Sequence, residues 1–219
     1  MVDRTVPVVV IGLGRFGSSL ALELVRRGTE VLAIDHRPKV VQNLAGQITH
    51  IAAADATDME ALRQLGVPDF YRAVVAIGSD LQASILTASL LVELEIDDIW
   101  AKAISRQHGR ILSRIGVGHV VFPEHDMGER VAHLVSGRLL DFMLIDENFA
   151  LAKTRPPKEF IGVPLSRSNL RRKYGVTIVA VKSPGETFTY ATPETELTYD
   201  DIVLVSGRTD EVERFAELL

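Results

Sequence analysis

The 219-residue sequence contains no cysteine. Disulfides, thiol nucleophiles and cysteine-held metal sites are thereby excluded, and the composition fits a reducing compartment. An excess of positive charge is missing as well: 24 Lys and Arg stand against 29 Asp and Glu, a net charge of −5. Nucleic acid is therefore not an expected partner, because neutralising phosphates needs a basic face. No apolar run approaches the roughly 20 residues that cross a bilayer, and no signal-peptide pattern precedes the first strand. The expectation is a cytoplasmic chain with no membrane segment of its own. Catalytic constellations are scarce too. The six histidines, His36, His50, His108, His119, His125 and His133, form no metal pair of the H-E-x-x-H kind, and most read as surface or strand-edge residues. His125, next to Glu124, is the one to watch, although no nucleophile or orienting group is identifiable beside it.

What the sequence does hold is a rhythm. Short β-branched runs, "PVVVIG", "EVLAID", "HIAAAD", "AVVAIG", "IWAKAI" and "HVVFPE", alternate with amphipathic stretches such as Phe16 to Arg27 and Gln82 to Glu95. That alternation predicts βαβ units and one parallel sheet, and nearly continuous apolar character predicts strands buried on both faces. After Pro123, "EHDMGERVAHLVSGRLLDFMLID" reads as one long helix with Val131, Leu134, Val135 and Leu139 along a side. It is either a hinge and dimer-forming crossover or an ordinary core-facing helix. Beyond it lie the strand "FALAKTRP", a turn at "PPKEF", a short helix near "SRSNLRRKYG", a hairpin in "VTIVAVKSPGETFTYA" turning at Pro184 and Gly185, the strand "DIVLVSG" and the helix "TDEVERFAELL". The predicted fold is α/β: a Rossmann-like doubly wound parallel sheet (1–124), a crossover helix and hinge (125–145) and a small α+β C-terminal lobe (146–219).

Gly12, Gly14 and Gly17 form G-x-G-x-x-G directly after a strand and before a helix. The first suits a tight turn, the second admits a pyrophosphate to the backbone, and the third lets the helix approach the sheet. The helix N-terminus then offers N–H groups and a positive dipole end to phosphates. Asp35 ends the second strand about 20 residues on, where a carboxylate accepts ribose hydroxyls. Its charge argues against a 2′-phosphate, while Arg37 argues the other way. Asp55, Ala56 and Thr57 end the third strand beside the expected adenine, with helix capping as the alternative for Asp55 and Thr57. Gly78 and Ser79 close the fourth strand at the same rim. Lys102, inside an apolar strand, needs a partner, and an anion is a good one. Glu124, ending the sixth strand, is a candidate ligand or metal contact, the alternative being a solvated strand end. Within the loop, Phe16 follows Arg15, whose forked guanidinium suits phosphate oxygens.

The segments "GLGRFG" (12–17), "ADAT" (54–57), "AIG" (76–78), "WAKA" (100–103), "PEHDMGERVA" (123–132) and "NLRRKYGVTIVAVK" (169–182) resemble the RCK, or KTN, family: cytosolic regulatory subunits of Trk/Ktr potassium-uptake systems. The resemblance covers essentially the whole chain. It implies a binding protein rather than an enzyme: a homodimer assembling into an octameric ring, taking ATP or ADP, or NAD(H), at the glycine loop. It also implies a Trk/Ktr-type membrane potassium transporter or channel as partner at the inner face of the plasma membrane. Arg15 would then read the terminal phosphate bound by a neighbouring subunit, and Glu124 would hold a cation (Mg, Ca or Na) at the phosphates. Several relatives bind cyclic di-AMP in the C-terminal lobe, where Lys153, Arg155, Lys158, Arg167, Arg171, Arg172 and Lys173 face a single acid, Glu159; the alternative is a solvated basic helix end. Two departures, Ala54 in place of a glycine and Arg37 in place of a small polar residue, imply a modified adenosine pocket. The competing readings are a small NAD-dependent oxidoreductase and an NADH-sensing transcription factor; the latter needs a DNA-reading element that the sequence does not contain.

Overall fold

A strand covered on both faces needs apolar residues at every position, and β1 (Val8–Ile11) and β2 (Val31–Asp35) are buried from end to end. The computed structural model describes residues 6–135 and 137–218. They fall into two compact units, the first ending at Glu124 and the second beginning at His125. In the first, β3 (His50–Ala53), β4 (Arg72–Val75), β5 (Asp98–Lys102) and β6 (His119–Val121) complete a six-stranded sheet of order β3-β2-β1-β4-β5-β6. Every pairing is parallel. Alternate residues of β1 enter two different cores. Val9 and Ile11 join Leu62, Leu91 and Leu112 from α3 (Met59–Gln64), α4 (Leu81–Glu93) and α5 (Arg106–Arg114). Val8 and Val10 join Ala21 of α1 (Arg15–Arg26), with Val40 and Leu44 of α2 (Pro38–Leu44) packed against them. This two-sided burial is why the strand runs lack polar alternation.

The chain order reverses between β1 and β4, and the register aligns Ile11 with both Ile34 and Val75. Gly12, Asp35 and Ala76 therefore stand level at the carboxyl rim, at the switch point where ligands of such sheets bind.

The second unit carries most of α6 (Pro123–Val135) and a sheet of order β10-β9-β11-β8-β7. Its strands are β7 (Asp141–Asp146), β8 (Phe149–Thr154), β9 (Thr177–Lys182), β10 (Thr189–Tyr190) and β11 (Ile202–Arg208), with short α7 (Leu165–Ser168) and α8 (Leu170–Tyr174) before β9. Helix α9 (Thr209–Ala216) lays Val212, Phe215 and Ala216 on Phe142, Ala152 and Val205. The hairpin forms as expected, Glu186 N–H bonding to Ser183 carbonyl across the turn.

Three expectations need correction. The long helix ends at Val135, and Asp141–Asp146 is strand β7, inside the segment assigned to the crossover. The apolar spacing misled because Leu139 and Phe142 belong to the second unit's core, not to a helix face. Of the expected apolar stripe, Leu134 packs on that core while Val131 and Val135 are exposed. Glu124 is not the end of a strand but the second residue of α6. The short helix near Ser166 is two pieces, divided at Asn169 in the left-handed conformation. Ser136, in the expected long helix, and Leu219, in the last one, lie outside the described residues.

Candidate nucleotide site

The loop after β1 is built by two glycines. Gly12 turns the chain with φ +92°, and a Cβ there would sit 3.0 Å from the Ile77 nitrogen. A Cβ on Gly17 would lie 1.9 Å from the Gly12 oxygen and 2.9 Å from Ala76 Cβ, so helix α1 touches the strand end only because that position has no side chain. Gly14, the N-cap residue of α1, has open space where its Cβ would be. The amide end of a twelve-residue helix thus lies on the wall of the rim.

Along the rim runs a groove of two lobes that share Gly12, Asp35, His36, Ile77 and Ser79. One lobe, about 360 Å³, is walled by Ala54, Asp55, Ala56 and Thr57 after β3 and by Gln82, Ala83 and Thr87 of α4. The other, about 400 Å³, is walled by Gly14, Arg15, Phe16, Arg37, Gly78, Lys102, Ile104 and Glu124. Every residue the sequence assigned to the nucleotide site lines one lobe or the other except Gly17, which is buried beneath; His125 lines neither.

The first lobe carries three carboxylates, and the third, Asp80, caps α4 by accepting the Ala83 N–H. Asp35 is buried, which raises its pKa; the Arg37 guanidinium, followed by the N–H groups of Arg37 and Leu13, outweighs this and holds it down at about 2. Because the folded value lies below the unfolded one, ionised Asp35 stabilises the fold fully above about pH 4 and loses that contribution as pH falls toward 2. Asp35→Asn is therefore expected to lose less stability than wild type between about pH 7 and about pH 2.5, measured by denaturant unfolding; equal losses would contradict this assignment. Asp55 accepts the N–H (2.9 Å) and the hydroxyl (2.7 Å) of Thr57, and these bonds lower its pKa. Neither residue caps α3; Asp58 does, accepting from Glu60 N–H. The capping alternative is thus corrected, and both side chains remain on the lobe wall.

The second lobe is cationic. Lys102 is buried, its Nζ hydrogen-bonded to Glu124 and 5.8 Å from the Phe16 ring centroid. A Cβ on Gly78 would come within 3.0 Å of that ammonium. The bond from Lys102 lowers the pKa of Glu124, whose side chain is 63% exposed. Arg15 is exposed on the same wall and has no ion-pair partner among the described residues. Nor do any three His, Asp or Glu among those residues gather to hold a metal ion.

Sequence reading missed His36, which lines both lobes, and Thr87, buried on α4 with its hydroxyl donating to the Ala56 carbonyl (3.2 Å). A polar residue on the core side of an apolar helix pattern was the signal for Thr87. His108 is an exception to the reading of most histidines as surface or strand-edge residues: it is buried in α5, its Nδ1 accepting the Ile104 N–H (3.3 Å), and burial lowers its pKa.

Residues 8–123 match the family model described as the TrkA-N domain, and residues 151–219 match the TrkA-C domain. The chain belongs to the TrkA family. Among TrkA relatives, Ktr system potassium uptake protein A of Bacillus subtilis (strain 168) is 36% identical over 207 residues, covering 94% of this chain and 93% of that one. Ktr system potassium uptake protein C of the same organism is 38% identical, covering 94% of each. The TrkA fold here is that of RCK domains: the GsuK RCK domain superposes with a TM-score of 0.66 at 18% identity, over 100% of this chain and 48% of that one. The GsuK channel bound to NAD gives 0.64, at 18% identity, over 100% of this chain and 40% of that one. No helix among the described residues is long and apolar enough to cross a membrane.

Proposed function

We propose that this chain is a nucleotide-binding regulatory subunit of a membrane potassium-uptake system. One observation carries the reading: a two-lobed groove at the sheet's switch point has a buried carboxylate, Asp35, where the lobes meet and the cations Arg15 and Lys102 in the second lobe. It lies in a chain 36–38% identical, over 94% of its length, to two Ktr potassium uptake proteins.

In this reading ADP and ATP, or NAD(H), share the groove. Adenosine fills the lobe of Asp35, Asp55, Ala56 and Thr57, and the phosphates pass Gly12 and Gly14 toward Arg15, Phe16, Gly78, Ser79 and Lys102. A terminal phosphate competes with Glu124 for Lys102. The released carboxylate, a hard oxygen donor, suits a cation such as Mg, Ca or Na, whose remaining ligands come from phosphate and water; bound there, it would offset phosphate charge. Arg15 sits on the surface, so its guanidinium is available to the ligand of its own chain or of a neighbouring one.

Homodimers built through α6 and assembled into an octameric ring would convert that choice into shape. A ligand moves such a ring only by its difference in affinity between two conformations. The ring would be cytoplasmic, held at the membrane by a Trk/Ktr-type transporter or channel. In the second unit, a cavity of about 470 Å³ lined by Ser168, Asn169, Arg171, Arg172 and Thr177 is the place for an anionic regulator such as cyclic di-AMP. The rest of the basic island is partly spent on itself, Lys173 pairing with Glu159 at 2.9 Å.

Potassium flux through vesicles holding the cognate transporter tests this reading. With the subunit added, ATP and ADP are expected to give different fluxes, and Arg15→Ala should retain ADP binding while erasing the difference. No association with the transporter, or flux indifferent to nucleotide, would contradict it.

A further inference from the structure

Asp35 is saturated. Its Oδ1 accepts Arg37 N–H and Nε–H, both at 2.9 Å, and its Oδ2 accepts Leu13 N–H at 2.7 Å and Arg37 Nη2 at 2.9 Å. A carboxylate offers about four lone-pair positions, so no acceptor is left for a ribose diol until the guanidinium moves. The two partners differ in freedom: the Asp35 side chain is 2% exposed, that of Arg37 48%. Arg37 is the one that can swing.

Two consequences follow for the end of the groove where ribose would lie. A nucleotide with a free diol must displace Arg37 from Asp35. One with a 2′-phosphate meets no bare carboxylate, because the guanidinium already covers it and its fork matches phosphate oxygens. His36, with Nδ1 3.8 Å from Asp35 Oδ1 and its side chain 72% exposed, stands at the same edge. Building on the nucleotide reading above, we propose that Arg37 is the specificity-determining residue at the ribose end and admits a 2′-phosphate, so that the groove takes NADPH-type nucleotides as well as those with a free diol.

Calorimetric titration of NADH and NADPH, which differ only in that phosphate, tests the proposal on the full chain, with ADP as control. Wild type is expected to bind all three. In Arg37→Ala, NADPH should lose at least about tenfold in affinity relative to NADH, the scale of one charge-assisted hydrogen bond to phosphate. Arg37→Gln, which still offers Asp35 a donor, should show the same relative loss, and it guards against a misfolded alanine variant. A relative change below about tenfold in whichever variant melts like wild type overturns the proposal. ADP binding without NADPH binding also overturns it and leaves the nucleotide reading standing. No binding of any of the three overturns both.

Discussion

Gly17→Ala is expected to destabilise the first unit by about 3 kcal/mol or more, while Gly14→Ala, three residues away, costs less than about 1 kcal/mol. The difference lies in what each new methyl meets. At Gly17 it would sit 1.9 Å from a backbone oxygen, so either α1 or the end of β1 must shift, and neither is a flexible side-chain tip. At Gly14 it would meet nothing within 4 Å, and the backbone is already in the extended region at φ −68°. Thermal unfolding should show the first variant lower by about 10 °C or more and the second within about 4 °C of wild type. Ligand binding should reverse the interest. Gly14→Ala keeps its fold but places a methyl where the phosphates approach the helix amides, so ADP affinity should fall at least about tenfold. A stable Gly14→Ala that binds ADP like wild type would remove the phosphates from this loop.

Lys102→Met is expected to leave stability unchanged or raised and to weaken ATP and ADP binding about 10- to 100-fold. Its ammonium is buried, and replacing a buried ion by an apolar chain of similar length removes a desolvation cost that its bond to Glu124 only partly offsets. Glu124 is mostly exposed and can be solvated when its partner is lost. The binding loss has the size of a charge-assisted bond to phosphate, about 1.5–3 kcal/mol. Denaturant unfolding and calorimetry on the same preparation separate the two effects. A destabilised variant with intact binding would make Lys102 a structural residue and the pair with Glu124 its whole purpose.

The two-faced sheet was legible because burial on both sides leaves an unmistakable run, as in Val8 to Ile11. The rim was legible for the same reason, since a strand of known length puts its last residue at a known height; Asp35, Asp55 and Ser79 could be placed together from sequence. Pairwise side-chain choices could not. Nothing in the spacing distinguishes an Arg37 held in reserve for a phosphate from one folded back on Asp35, because both depend on a rotamer. The link after α6 failed for another reason: Leu139 and Phe142 stand three apart, a helical spacing, yet Leu139 precedes β7 and Phe142 lies in it, and only pairing with β8 reveals the strand. Glu124 moved from strand end to helix start because β6 stops at Val121, three residues earlier than the apolar run suggests.

The most direct test of the account is calorimetric titration of ADP, ATP and NADH into the purified wild-type chain. The account expects saturable binding of adenine nucleotide at one site per chain, competed by the others and weakened together, at least about tenfold, in Gly14→Ala. No saturable binding of any of the three to the folded protein would contradict it.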